Sequence, residues 1–236
     1  MIDEAAAIGV KKVQLIGGEP TLSPWFAELV EYALSLGLGV EVDTNLYRVR
    51  LGHWALLSRP GVSLATSYYA DTDHGHDAVT GRDGSHAATR ANLIEARRRG
   101  IPVRVGIVDV LDGQRVEQAR ADLESLGITD VHTDRVRGVG NAAHGPGLPP
   151  VSQLCGRCAN GTAAILSDGT VTPCTLGRFL PAGSVNGASL KEVFNSPQWK
   201  QVAASIPSPR HDPCAPDCAP NDDTSGGGGT CGPASD

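Results

Sequence analysis

A chain of 236 residues, 40% apolar and 19% charged, can bury a substantial core and has the ordinary composition of a globular protein. Its formal net charge of −6 argues against a nucleic-acid partner, and no apolar run is long enough to span a membrane. Met1 to Gly9 carries no basic region followed by an apolar core, so no secretory signal is read. The expected compartment is the cytoplasm, where thiols stay reduced and six cysteines read as ligands before disulfides.

Residues 2–9 read as the end of a helix stopped by Gly9. Val13 to Ile16 is an apolar strand that runs into Gly17-Gly18-Glu19-Pro20-Thr21. Two glycines permit a sharp turn and the close approach of a ligand. Glu19 places a carboxylate at the strand end, suited to an ammonium group, and Pro20 stops the strand. A strand, tight turn and capped helix with no ligand is the competing reading of these residues.

Ser23 and Pro24 predict a helix start, with Phe26, Leu29, Val30, Ala33 and Leu34 on one face and Gly37 at the end. Val40 and Val42 mark a second strand, which ends at Asp43-Thr44-Asn45. A short helix around Trp54–Leu57 and a third strand, Val62–Ser67, follow. Tyr68 to Gly84 reads as a long polar loop, and Ser85 to Arg99 as a helix. Val103 to Val110 is the clearest strand, being rich in β-branched residues. Val116, Ala119, Leu123 and Leu126 predict a further helix, and Asp130 to Val136 a fifth strand. Such alternation predicts an α/β fold with a parallel sheet, either part of a βα barrel or an open doubly wound sheet. In a barrel, function collects at the C-terminal strand ends.

The loop Asp71 to Asp77 holds carboxylates and imidazoles that could bind a divalent ion, but ligands so close in sequence rarely converge, and a solvated loop is the favoured reading. His53, His86, His132 and His144 have no partner pattern, and Trp25, Trp54 and Trp199 read as packing anchors. Every cysteine lies in the last third: Cys155, Cys158, Cys174, Cys214, Cys218 and Cys231. With the Gly/Pro-rich stretch 138–150, this predicts domains at 1–150 and 151–236. A hairpin over Ala163–Leu166 and Thr170–Thr172, turning at Asp168-Gly169, brings Cys158 and Cys174 together at its open end. Thiolates so placed can ligate zinc or an iron–sulfur cluster, and spacing does not separate the two.

Gly17-Gly18-Glu19-Pro20 resembles the Gly-Gly-Glu-Pro motif of radical S-adenosylmethionine (SAM) enzymes, which ends the second barrel strand of that family and holds the amino group of SAM. Thr44-Asn45 resembles the family's Thr-Asn-Gly, with Leu46 in place of the glycine. Val62–Ser67 followed by His76–Gly81 resembles the fourth strand and its loop, and Arg137-Gly138-Val139-Gly140 the loop after the sixth. The resemblance implies a partial (βα) barrel with Gly17, Gly18, Glu19, Pro20, Asn45 and Ser67 as SAM contacts, Ser67 at the ribose. Cys158, Gly169 and Cys174 fit the opening of the SPASM domain, and Gly183–Val185 and Leu190–Phe194 resemble its later segments. It implies a small cysteine-rich α+β domain carrying an auxiliary [4Fe–4S] cluster. Cys155, Cys158, Cys174, Cys214, Cys218 and Cys231 would supply the ligands. The last cysteines depart from the usual spacing, which supports one auxiliary cluster better than two; a structural zinc knuckle is the alternative.

The family's catalytic cluster is held by Cys-x3-Cys-x2-Cys, and this chain has no cysteine before Cys155. The expectation is a radical SAM/SPASM peptide maturase present without its N-terminal cluster segment. Its substrate would be a ribosomally made peptide or protein, modified to a thioether, a carbon–carbon bond or an epimer, or oxidised at Cys or Ser. This chain alone would then be inactive. The alternative is a non-catalytic peptide-binding remnant with a zinc- or cluster-bound C-terminal domain. Neither reading involves nucleic acid or membrane.

Overall fold

The computed structural model describes residues 1–138 and 148–207. It divides into two compact units: Lys12–Val136, and Met1–Lys11 together with the chain from Arg137 onward.

The first unit is a five-stranded parallel sheet, β1 (Lys12–Leu15), β2 (Gly39–Asp43), β3 (Val62–Ser67), β4 (Val103–Asp109) and β5 (Val131–Arg135), in spatial order β1-β2-β3-β4-β5. Between the strands lie α2 (Phe26–Ser35), α3 (Leu51–Leu57), α4 (Asp73–Thr80), α5 (Ser85–Arg98) and α6 (Val116–Ser125). Strand order follows chain order without reversal. Right-handed crossovers then put every helix on the same face, so the sheet is a barrel segment; a doubly wound sheet would reverse its order midway.

The two faces differ as this requires. Val40, Val42, Leu64, Val105 and Ile107 are fully buried, as are Val30, Leu57, Leu93, Ala96, Ala119 and Leu123 on the helices. The opposite face carries polar side chains at alternate positions. Arg104 Nη2 donates to Glu41 Oε1 at 2.6 Å and Gln14 Nε2 to the same oxygen at 3.0 Å, with Glu41 and Arg104 both buried.

The expected polar loop over 68–84 contains a helix. Thr72 caps α4, its hydroxyl accepting from Gly75 N at 3.3 Å, and Gly81 ends it in the left-handed conformation at φ +65°. His76 anchors that helix and is buried between Tyr68, Tyr69 and His86.

In the second unit, α1 (Ile2–Ala7) lies against α7 (Leu190–Asn195), where Glu4 Oε2 accepts from Leu190 N at 2.7 Å. Ser189 and Glu192 form a capping box on α7, and Ser196 with Pro197 opens α8 (Pro197–Ser205). A small antiparallel sheet, β6 (Ala164–Ile165), β7 (Thr170–Thr172) and β8 (Gly183–Ser184), completes it. No helix among the described residues is long and apolar enough to cross a membrane.

Candidate functional site

The C-terminal ends of β1, β2 and β3 lie side by side. Leu15 pairs with Val42, and Asp43 with Ala65. Carrying the register two residues past Asp43 sets Asn45 level with Ser67, the last residue of β3. At this level the chain leaves β1 through Gly17 and Gly18. A Cβ on either glycine would meet nothing within 4 Å, so the space above them is open to a ligand.

Glu19 caps the 3-10 turn Pro20–Leu22, and Pro20 takes the turn's first position. The Glu19 carboxylate collects four donors. Thr21 gives its N–H at 3.2 Å and its hydroxyl at 2.6 Å, both to Oε1. Asn45 N donates to Oε2 at 2.9 Å. The Thr44 hydroxyl lies 2.9 Å from Oε1 and 3.0 Å from Oε2, and its single proton serves one of them at a time. Oε1 is therefore crowded, while Oε2 holds one firm donor and keeps a lone-pair direction for a cation. Sequence reasoning found Glu19 and Asn45; it missed that Thr21 and Thr44 hold the carboxylate. His53, given no role from sequence, lies within the field of this group. Burial and then Arg50 push its pKa down, opposed by Glu19. The Ser67 hydroxyl makes no hydrogen bond among the described residues and is half-buried.

The second candidate lies in the other unit. Cys155, Cys158 and Cys174 form no disulfide among the described residues and are buried, packed with Leu154 and fringed by Val151, Leu176, Phe179, Leu180 and Ile206. Sulfurs at Cys158 and Cys174 are 2.7 Å apart. Gly177 N points at Cys174 Sγ at 3.2 Å, and Arg157 N at Cys155 Sγ at 3.5 Å. The neighbouring sulfurs of Cys155 and Cys174, and then burial, push the Cys158 thiol far up. The Cys158 thiol and then the Gly177 N–H pull Cys174 down, against burial.

Buried thiols in an apolar pocket, with backbone N–H groups aimed at Cys155 and Cys174, are the donor type of a thiolate-bound metal or cluster, whose positive charge would offset their mutual repulsion. Among the described residues no group of three or more His, Cys, Asp or Glu is spaced to hold a metal ion. Two thiolates sharing one tetrahedral ion stand about 3.7 Å apart, so Cys158 and Cys174 would spread by about 1 Å on binding. Cys214, Cys218 and Cys231, and with them any fourth ligand, lie outside the described residues, as do Val139, Gly140 and His144.

The histidine- and aspartate-rich segment 71–77 resolves into structural partners. Asp71 pairs with Arg115, Asp73 with His86 at 2.6 Å, and Asp77 caps α5 through Gly84 N, His86 N and the Ser85 hydroxyl.

Residues 1–126 match the model of the radical SAM superfamily, and residues 155–219 that of the SPASM iron–sulfur cluster-binding domain. The mycofactocin maturase MftC of Mycobacterium tuberculosis is 33% identical over 117 residues, covering 45% of this chain and 28% of that protein. The PqqA peptide cyclase of Ruegeria pomeroyi is 32% identical over 107 residues, covering 45% of this chain and 29% of that protein. The matched segments thus span less than a third of these relatives. Among solved structures, Streptococcus suis SuiB superposes with a TM-score of 0.69 at 14% identity, over 86% of this chain and 60% of SuiB. The anSMEcpe enzyme with bound AdoMet and a peptide superposes with a TM-score of 0.63 at 13% identity, over 88% of this chain and 74% of that one. At such identities these superpositions speak for the fold.

Proposed function

The chain belongs to the radical SAM superfamily, and from that premise we propose that it serves in modifying a ribosomally made peptide or protein, with SAM bound at the strand ends around Glu19. The single observation that carries the reading is the Glu19 carboxylate, fixed by four donors beside the open space at Gly17 and Gly18, with Oε2 left to accept from an ammonium group. In this reading Gly17 and Gly18 admit the methionine end of SAM, Pro20 sets the turn that aims Glu19, and Asn45 and Ser67 line the ribose side. SAM bound to a catalytic iron–sulfur cluster supplies a 5′-deoxyadenosyl radical, and the protein's part is binding and orientation.

Residues 1–150 are proposed as the barrel domain and 151–236 as the SPASM-like domain. Cys155, Cys158 and Cys174, with a ligand from Cys214, Cys218 or Cys231, would hold one auxiliary [4Fe–4S] cluster there. The match over residues 155–219 and the convergence of the three described cysteines support this. Such thiol ligands suit a cytoplasmic setting. The printed names of the relatives, a maturase and a peptide cyclase, and the peptide-bound anSMEcpe structure support a peptide substrate.

Anaerobic reconstitution with iron and sulfide is the test of the C-terminal site. The expected outcome is bound iron and sulfide with a charge-transfer absorption band that is lost in Cys158→Ser. Tight zinc without sulfide would reject the cluster in favour of a structural zinc site.

A further inference from the structure

We propose that Asn92 and Thr89 of α5 are positioning residues that set the Glu19 carboxylate through the turn Thr44–Tyr47. This deepens the SAM reading and rests on it for its functional consequence.

The turn is unusual at one residue. Leu46 is fully buried and has φ +50°, a left-handed conformation that an L side chain disfavours. Something must hold it there, and the hydrogen bonds identify what does. Asn92 Nδ2 donates to Leu46 O at 2.7 Å, and the Thr89 hydroxyl to Asn45 O at 3.0 Å. Residues 89 and 92 are three apart on one helix and so share a face. Both carbonyls of the turn are thereby fixed to α5. Inside the turn, Asn45 Oδ1 accepts from Tyr47 N at 2.8 Å and Thr44 Oγ1 accepts from Leu46 N at 3.2 Å.

The last bond links the turn to the site. Thr44 Oγ1 has one proton to donate, and Glu19 lies at 2.9–3.0 Å. Accepting from Leu46 N keeps the lone-pair side of that hydroxyl turned to the backbone and its proton turned to Glu19. Asn45 N, the firm donor to Oε2, belongs to the same turn. If the Asn45 and Leu46 carbonyls were released from α5, the peptide between Asn45 and Leu46 could turn, and the Leu46 N–H that orients the Thr44 hydroxyl toward the carboxylate would be lost. The strained residue therefore fixes the geometry of Glu19, and the two α5 side chains hold it in that conformation.

Two measurements on the full chain test this: amide hydrogen exchange, and calorimetric titration with SAM. Asn92→Asp keeps the size of the side chain and removes the donor. Exchange at Asn45 and Leu46 should speed up by about tenfold, the worth of one hydrogen bond, while Val42 and Leu64 in the strands stay unchanged. The dissociation constant for SAM should rise by about tenfold. In a Leu46→Gly background, where no left-handed penalty has to be held, the same Asn92→Asp change should alter SAM affinity by less than about twofold. Equal losses in both backgrounds, or unchanged exchange at Asn45 and Leu46, would overturn the clamp. Failure of the unsubstituted chain to bind SAM would overturn the cofactor reading alone, and the exchange rates would still decide whether α5 holds the turn.

Discussion

At Glu19 the geometry asks for a cation. Four donors hold the carboxylate aimed, and none of them is a charged side chain, so a ligand ammonium would be its nearest opposite charge. Glu19→Gln keeps the shape and most of the hydrogen bonds and removes the charge; it should weaken SAM binding by ~1.5–3 kcal/mol, read by calorimetric titration. Unchanged affinity would make Glu19 a turn residue only. His76 is the other residue whose state can be derived. Ser85 gives its proton to Asp77, so Ser85 Oγ accepts from His76 Nδ1, and the bare Nε2 sits buried without a hydrogen-bond partner among the described residues. Burial, and then His86, lower the His76 pKa from 6.5 to about 4. The unfolded chain takes up that proton first as pH falls. The stability His76 contributes is therefore full above pH 6.5 and is lost as pH drops toward 4, by up to about 3 kcal/mol. His53 adds to this loss with the same sign. The carboxyls of Asp71, Asp77 and Asp122, held low by Arg115, His86 N and Arg90 respectively, lose their contribution only below the ordinary carboxylate range. His76→Phe should flatten the slope of urea-unfolding free energy between pH 6.5 and 4; an unaltered slope would refute the assignment.

Among the elements, the β6–β7 hairpin depends on one turn. Gly169 has φ +85°, and a Cβ there would stand 2.5 Å from Asn186 Oδ1. The Asn186 amide is held in place by its bond to Asp168 O at 2.7 Å. Gly169→Ala should cost about 2–3 kcal/mol, the left-handed penalty plus the displaced hydrogen bond, seen as faster exchange at Val171 and Thr172. An exchange rate like that of the parent chain would mean that Asn186 yields freely. This turn was legible in Asp168-Gly169, as the five parallel strands were in their β-branched runs. Helix α4 was not, because Asp73–Thr80 offers only Ala78 and Val79 as aliphatic residues and is anchored instead by a buried histidine ring, which periodicity does not register. Its caps, Thr72 and Gly81, were visible as residue types but gain meaning only once a helix lies between them. The Glu41–Arg104 pair joins residues 63 apart, beyond any local pattern; the faint signal was polar residues at alternate strand positions. Leucine is a poor marker of a left-handed turn, so Leu46 showed its conformation only through the glycine it replaces in the resemblance.

For the whole molecule, consecutive strand order gathers the ends of β1, β2 and β3 at one level, which is why Glu19, Thr44 and Asn45 meet although 25 and 26 residues separate them from the first. All 154 residues before Cys155 lack cysteine, and the unit Lys12–Val136 that carries Glu19 is thiol-free, while Cys155, Cys158 and Cys174 pack together within the other unit. Reductive cleavage of SAM requires an electron delivered through the iron that SAM itself chelates, and a cluster whose irons are all held by protein thiolates offers no such position. We therefore expect this chain, reconstituted with iron and sulfide and incubated anaerobically with SAM and dithionite, to yield no 5′-deoxyadenosine above a protein-free control. It should still bind iron through its C-terminal cysteines, and Glu19→Gln should still weaken SAM binding. Production of 5′-deoxyadenosine would overturn the assignment of those cysteines to an auxiliary cluster, because one of their irons would then have to be open to SAM.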